Sequence, residues 1–155
     1  MLEYLKKIMF DSEASFNREL NILVIEDSKL YSMVLKKYLL TSLINKNIST
    51  NVILTENSDE AIKTIVNNSP DIILMDFSLG GASVDGLELI KEIRKIDSES
   101  QLMVLTNRFG VDIANQCYKF GANNYIHKER DDFKGVVDYI INIIDYNSKK
   151  SNLNL

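Results

Sequence analysis

Asp71-Ile72-Ile73-Leu74-Met75-Asp76 is the stretch whose reading decides the fold. Four consecutive apolar residues, bounded by acids and preceded by the lone proline Pro70, read as a strand buried on both faces, as a central strand of a parallel sheet is. Such a strand delivers Asp76 at its carboxyl end, where open α/β sheets bind their ligands. One aspartate alone can equally end the strand and cap the segment after it, so the neighbouring segments must decide between the two.

Upstream, Asn21-Ile22-Leu23-Val24-Ile25 is a second buried strand, and it ends in the acid pair Glu26-Asp27. Ser28 can cap the helix that carries Leu30, Met33, Val34, Leu35 and Tyr38. A shorter strand, Val52-Ile53-Leu54, precedes Asn57 and Glu60, spaced like a capping box ahead of Ala61, Ile62, Ile65 and Val66. Downstream of Asp76, the loop Ser78-Leu79-Gly80-Gly81-Ala82-Ser83 leads to Asp85-Gly86-Leu87-Glu88, which opens a helix with Leu89, Ile90 and Ile93 facing inward. Leu102-Met103-Val104-Leu105 is the fourth strand and Thr106 ends it. A helix with Ile113, Ala114 and Cys117 closes at Gly121, a left-handed cap. Tyr125-Ile126 is a weak fifth strand leading to Lys128, and Phe133, Val136, Val137, Ile140, Ile141 and Ile144 mark the last helix behind Asp131 and Asp132.

Strands alternating with helices predict a flavodoxin-like α/β three-layer sandwich, with a five-stranded parallel sheet in order 2-1-3-4-5 and helices on both faces. In that order strands one and three are neighbours, and a crevice opens above their carboxyl ends. Glu26, Asp27 and Asp76 all enter it, flanked by Thr106 and Lys128. Carboxylates crowded together repel, and a magnesium ion, which takes oxygen ligands and often only one or two carboxylates, relieves the cost. Asp76 can then attack a phosphoryl group to give an acyl phosphate, with Lys128 pairing one phosphate oxygen and Thr106 hydrogen-bonding another.

Composition narrows the function classes. With 155 residues, 45% hydrophobic and 26% charged, the chain suits one globular domain. The expected division is residues 1–19 as an extension with a short helix, 20–147 as the domain, and 148–155 as a polar tail. Leu2, Leu5, Ile8 and Met9 give the extension an apolar stripe, suited to packing on its own domain or to a partner or second subunit in a homodimer. No apolar run reaches the ~20 residues of a membrane span, and the amino terminus lacks a secretory signal, so a cytoplasmic protein is expected. One cysteine excludes an internal disulfide, and one histidine, His127, cannot form a multi-histidine metal site. A net charge of −4 lacks the basic footprint of a nucleic-acid binder.

From Asn21 to Tyr146 the chain resembles a response-regulator receiver domain of two-component signalling. The resemblance is carried by Ile22 to Ser28, Asp71 to Asp76, Asp85 to Ile90, Val104-Leu105-Thr106 and Gly121 to Lys128, in that order. It implies Glu26 and Asp27 as metal-binding acids, Asp76 as phosphoacceptor, the Ser78 backbone carbonyl as a further ligand, Thr106 as the switch hydroxyl and Lys128 as the phosphate-pairing lysine. Tyr125 matches the aromatic switch, whose ring in the family turns inward when the threonine moves toward the phosphate. The implied partner is a histidine kinase or histidine phosphotransfer protein, with an unknown downstream protein target reached through the fourth helix, fifth strand and fifth helix. The chain departs from the family pattern at Gly80 and Glu129, where the family has prolines, and at Asn107, where it has a small residue.

These features predict a stand-alone receiver, a phospho-accepting signalling domain rather than an enzyme acting on a separate substrate. A receiver that docks partners without phosphorylation is the alternative, favoured by Asn107 and by the missing proline after Lys128. A metal-dependent aspartyl phosphatase of the haloacid-dehalogenase type would need a second Asp two residues after Asp76, where Ser78 stands.

Overall fold

The computed structural model describes residues 18–79, 86–108, 110–128 and 133–153. Five strands alternate with five helices: β1 (Leu20–Ile25), α1 (Lys29–Ile44), β2 (Thr50–Thr55), α2 (Ser58–Asn68), β3 (Ile72–Asp76), α3 (Gly86–Ile96), β4 (Gln101–Thr106), α4 (Val111–Phe120), β5 (Asn124–His127) and α5 (Phe133–Leu153). All strands are parallel, in the order β2-β1-β3-β4-β5. This is the flavodoxin-like arrangement expected from the sequence, and every residue of β3 is buried, as its unbroken apolar run requires.

Alternation along the strands divides the core into two layers. Leu23, Ile25, Ile73, Met75, Leu102 and Val104 meet α2, α3 and α4 through Ile65, Ile90 and Cys117. Their neighbours Ile22, Val24, Ile72, Leu74, Met103 and Leu105 meet α1 and α5 through Leu35, Leu39 and Ile140. Of the apolar residues expected on α1, only Leu35 is buried. Leu30 is 76% exposed, Met33 64% and Val34 46%, because the helix turns Ser32, Leu35, Leu39 and Leu43 to the sheet instead.

The helix ends follow their capping residues. Ser28 Oγ accepts from the Tyr31 amide at 3.3 Å, and Asn57 Oδ1 accepts from the Glu60 amide at 3.0 Å. The reciprocal arm of the expected box falls one residue early: Glu60 Oε2 accepts from the Glu56 amide, not from Asn57. Gly121 closes α4 at φ 115°, as its left-handed cap role predicts. At the start of α3 a Cβ on Gly86 would lie 2.6 Å from the Phe77 carbonyl oxygen, so the helix can enter against the end of β3 only with glycine there. Arg94, near the end of α3, donates to the carbonyls of Gly121, Asp97 and Ser100 and to Asn123 Oδ1, tying α3 to the turn before β5.

The two termini are described only in part. Residues 148–153, assigned to a tail, continue α5, since the backbone stays helical through Leu153. The helix expected within residues 1–19 lies outside the described residues up to Asn17, and Arg18 and Glu19 are not helical. Gly80 to Asp85, Glu129, Asp131 and Asp132 also lie outside the described residues. Among the described residues, no helix is long and apolar enough to cross a membrane.

Candidate functional site

The register of the sheet assembles the acids. Ile25 pairs with Met75, so Glu26 and Asp76 leave adjacent strands at the same level, and Asp27 comes next in the chain. Glu26, Asp27 and Asp76 each offer a carboxylate oxygen, and these oxygens lie within 4.8 Å of one another. Asp27 is exposed, while Glu26 is 3% and Asp76 7% exposed. Like charges held this close in partial burial are unfavourable without a cation.

Lys128 supplies a protein cation. Its amide donates to the Thr106 carbonyl at 2.9 Å, extending the pairing of β4 and β5 by one residue and aiming the side chain back over the strand ends. Nζ donates to Glu26 Oε2 at 2.5 Å and lies 3.4 Å from Asp76 Oδ1. The lysine therefore reaches the acids with Glu129 next to it in the chain. Asp76 Oδ1 also accepts from the Ser78 amide at 3.2 Å, and Glu26 Oε1 accepts from the Ser28 amide at 3.0 Å. Burial raises the Glu26 pKa above its ordinary 4.5, assisted by the charge of Asp76 and opposed by Lys128 and the Ser28 amide.

Tyr31 is a member of this site that nothing in the sequence marked. Its ring centroid lies 4.3 Å from Lys128 Nζ, and the ring is itself held edge-on by Phe133 at 5.3 Å. Burial, together with the charges of Glu26 and Asp76, pushes its hydroxyl pKa up to about 12. As one of several apolar residues near the start of α1, it looked no different from its neighbours, and only the fold brings Lys128 to it.

Thr106 and Tyr125 belong to the other layer. Thr106 is fully buried, and its Oγ1 accepts from the Arg108 amide at 3.0 Å. Tyr125 is half-buried, and its hydroxyl donates to the Arg108 carbonyl at 2.8 Å. Burial raises the Tyr125 pKa, while a hydrogen bond toward Thr106 opposes the rise. His127 Nε2 donates to the Asn107 carbonyl at 3.1 Å, so the segment after β4 is held to β5 at two points.

The three carboxylates fit a hard divalent cation such as magnesium: they are all-oxygen donors, partly open to solvent through Asp27, with more negative charge than Lys128 alone offsets.

Comparison with known proteins agrees with this geometry. The family model for the response regulator receiver domain matches residues 22–138. Fimbriae Z protein of Salmonella typhimurium is 29% identical over 90 residues, covering 57% of this chain and 42% of that protein. Chemotaxis protein CheY of Bacillus subtilis is 26% identical over 107 residues, covering 69% of this chain and 83% of that one. A crystal structure of a response regulator protein from Burkholderia pseudomallei, with a phosphorylated aspartic acid, calcium ion and citrate, matches with a TM-score of 0.63 at 26% identity, covering 88% of this chain and 72% of that one. With its sheet order, its acid cluster and a family match over most of its length, the chain belongs to the response regulator receiver domain family.

Proposed function

We propose that the protein accepts a phosphoryl group on Asp76 from a phosphohistidine of a histidine kinase or phosphotransfer protein, and passes the signal on by a change in protein binding. The observation that carries this reading is the placement of Lys128 Nζ between Glu26 and Asp76, beside Asp27. An Asp76 carboxylate oxygen attacks phosphorus. The new P–O bond forms as the P–N bond to the donor imidazole breaks, and the imidazole leaves with the electron pair.

Glu26, Asp27 and Asp76, with the Ser78 carbonyl that the family resemblance adds, would hold magnesium, which when bound neutralises charge on the phosphoryl oxygens. Lys128 then exchanges its hold on Glu26 for a phosphoryl oxygen, to which it offers a point charge. Tyr31 limits where the ammonium can go, because its ring covers one side of Nζ. Thr106 gives up the Arg108 amide to donate its hydroxyl to the phosphate, and Tyr125 moves with it, altering the surface of α4, β5 and α5. Exposed Leu30, Met33 and Val34, on α1 next to the acids, suit a protein donor better than a small metabolite. The reading is of a cytoplasmic signalling protein without direct nucleic-acid contact.

One observation favours phosphorylation-independent docking as a second reading. Glu129 follows Lys128 where the family has a proline, and Asn107 follows Thr106 where the family has a small residue.

Intact-mass spectrometry after incubation with magnesium and a small acyl phosphate separates the two. A phosphoryl adduct that requires magnesium and is absent from Asp76→Asn is expected. No adduct on the parent, with beryllofluoride also failing to bind, would leave the docking reading.

A further inference from the structure

The reach of Lys128 depends on more than charge. It is the first residue beyond β5, its amide is tied to the Thr106 carbonyl, and from there a flexible four-carbon stem carries Nζ past Asp76 to Glu26. Attraction to carboxylates does not by itself fix the ammonium, because Glu26, Asp27 and Asp76 all offer oxygens within 4.8 Å of one another, and Asp27 leads out to solvent. Nζ nevertheless sits at the buried pair, 2.5 Å from Glu26 and 3.4 Å from Asp76, with only 9% of the lysine side chain exposed.

The ring of Tyr31 supplies the missing direction. Nζ lies over its face, 4.3 Å from the centroid. A leucine there would strip water from the ammonium and return nothing, whereas an aromatic face strips water but presents the negative lobe of its quadrupole to the charge. The ring is itself fixed. Tyr31 stands in the first turn of α1, and Phe133, at the start of α5, packs against Tyr31 at 5.3 Å and against Tyr38, two turns further along α1, at 5.7 Å.

We propose that Tyr31 is a positioning residue for phosphoryl transfer to Asp76: its face, braced by Phe133, holds the Lys128 ammonium beside Glu26 and Asp76, where an incoming phosphoryl oxygen meets it. The inference rests on the reading of Asp76 as phosphoacceptor and adds the side chain that sets the lysine's reach. The π face carries this role and the hydroxyl does not, so phenylalanine should serve in place of tyrosine and leucine should not.

Two readouts on the full-length chain test this. Proton–carbon NMR of the lysine ε-methylenes, without any donor, reads the contact itself, since protons over a ring face shift upfield. The Lys128 signal, assigned by its loss in Lys128→Met, is expected upfield in the parent and in Tyr31→Phe, and back at the ordinary lysine position in Tyr31→Leu. Lys91, whose Nζ lies 4.3 Å from the Phe120 centroid, is an internal reference that these variants leave in place. The second readout is the rate of magnesium-dependent adduct formation with a small acyl phosphate, in which an Asp76 oxygen bonds to phosphorus as the donor carboxylate leaves with the electron pair of its P–O bond. Tyr31→Leu is expected to slow it about tenfold, the worth of a desolvated cation–π contact, and Tyr31→Phe to stay within about twofold of the parent. In a Lys128→Met background Tyr31→Leu should add no further slowing. An unshifted Lys128 signal in the parent overturns the proposal, whether or not Tyr31→Leu folds. So does a parental rate in Tyr31→Leu, an equal loss in Tyr31→Phe, or the same loss repeated in the Lys128→Met background. Each of these leaves phosphorylation of Asp76 standing, whereas a parent that forms no adduct overturns both readings.

Discussion

Replacing Lys128 by Met in an Asp76→Asn background isolates the electrostatics of the acid cluster. Asp76→Asn leaves Glu26 as the one buried carboxylate of the three, because Asp27 is exposed, and Lys128→Met then removes its cation while keeping an apolar stem against Tyr31. Breaking a buried ion pair from one side ordinarily costs about 3–5 kcal/mol. Here Glu26 has an escape, since it can take up a proton. Its folded pKa is already raised above 4.5 by burial, and removing Lys128 raises it further. Between 4.5 and that folded value the native state holds the proton more tightly than the unfolded chain does, so stability falls as pH rises through this window.

Keeping Glu26 neutral costs about 1.36 kcal/mol for each pH unit above its unfolded value. From an unfolded pKa of 4.5, that limits the Glu26 penalty to about 3.4 kcal/mol at pH 7 and about 0.7 kcal/mol at pH 5. Because the single variant already carries part of this penalty, urea unfolding in EDTA, comparing the single with the double variant, should show a loss of at most about 3 kcal/mol at pH 7 that shrinks below about 1 kcal/mol at pH 5. The same loss at both pH values would refute the reasoning, because it would show that Lys128 acts through packing and not through the charge of Glu26.

Three further outcomes are expected. Magnesium should raise the thermal midpoint, contributing about 1.4 kcal/mol at ten times its dissociation constant, and Asp27→Asn should remove most of that rise in a calorimetric titration. Tyr125→Phe deletes the hydroxyl that donates to the Arg108 carbonyl at 2.8 Å and should cost about 1 kcal/mol in urea unfolding, while phosphorylation of Asp76 by an acyl phosphate proceeds at the parental rate. Gly86→Ala brings a Cβ to 2.6 Å from the Phe77 carbonyl and should lower the urea midpoint by the equivalent of about 1–3 kcal/mol, far beyond what an alanine at an open helix start would do.

The sheet was legible because its signal is local and repeated. Apolar runs of two to four residues mark the strands, and the acids, Thr106 and Lys128 sit at or just past strand ends, where the strand order brings them together. Strand bounds extended by a residue or two beyond the apolar runs, as at Thr50–Thr55, because backbone pairing continues through polar residues. The features that stayed hidden depend on contacts between residues far apart in the chain. Tyr31 over Lys128, Gly86 against Phe77, and Arg94 reaching Gly121 and Asn123 have no periodic pattern. The face of α1 was ambiguous for a different reason: apolar residues lie on both its sides, and only packing shows that Ser32 turns inward while Leu30 and Met33 turn outward.

The two-layer core has a consequence for how such a protein can diverge. By strand alternation, Glu26, Asp76 and Lys128 stand on the side of α1 and α5, with Tyr31, whereas Thr106 and Tyr125 stand on the side of α2, α3 and α4. Under the proposed function the sheet would act as a partition between a workshop, where the phosphoryl group is taken on and lost, and a signalling post, to which Thr106 carries word of it. On that reading, substitutions in the packing around Tyr31 and Phe133 would act first on the lifetime of the message and substitutions around Arg108 and Tyr125 first on its audience, the two being coupled through Thr106.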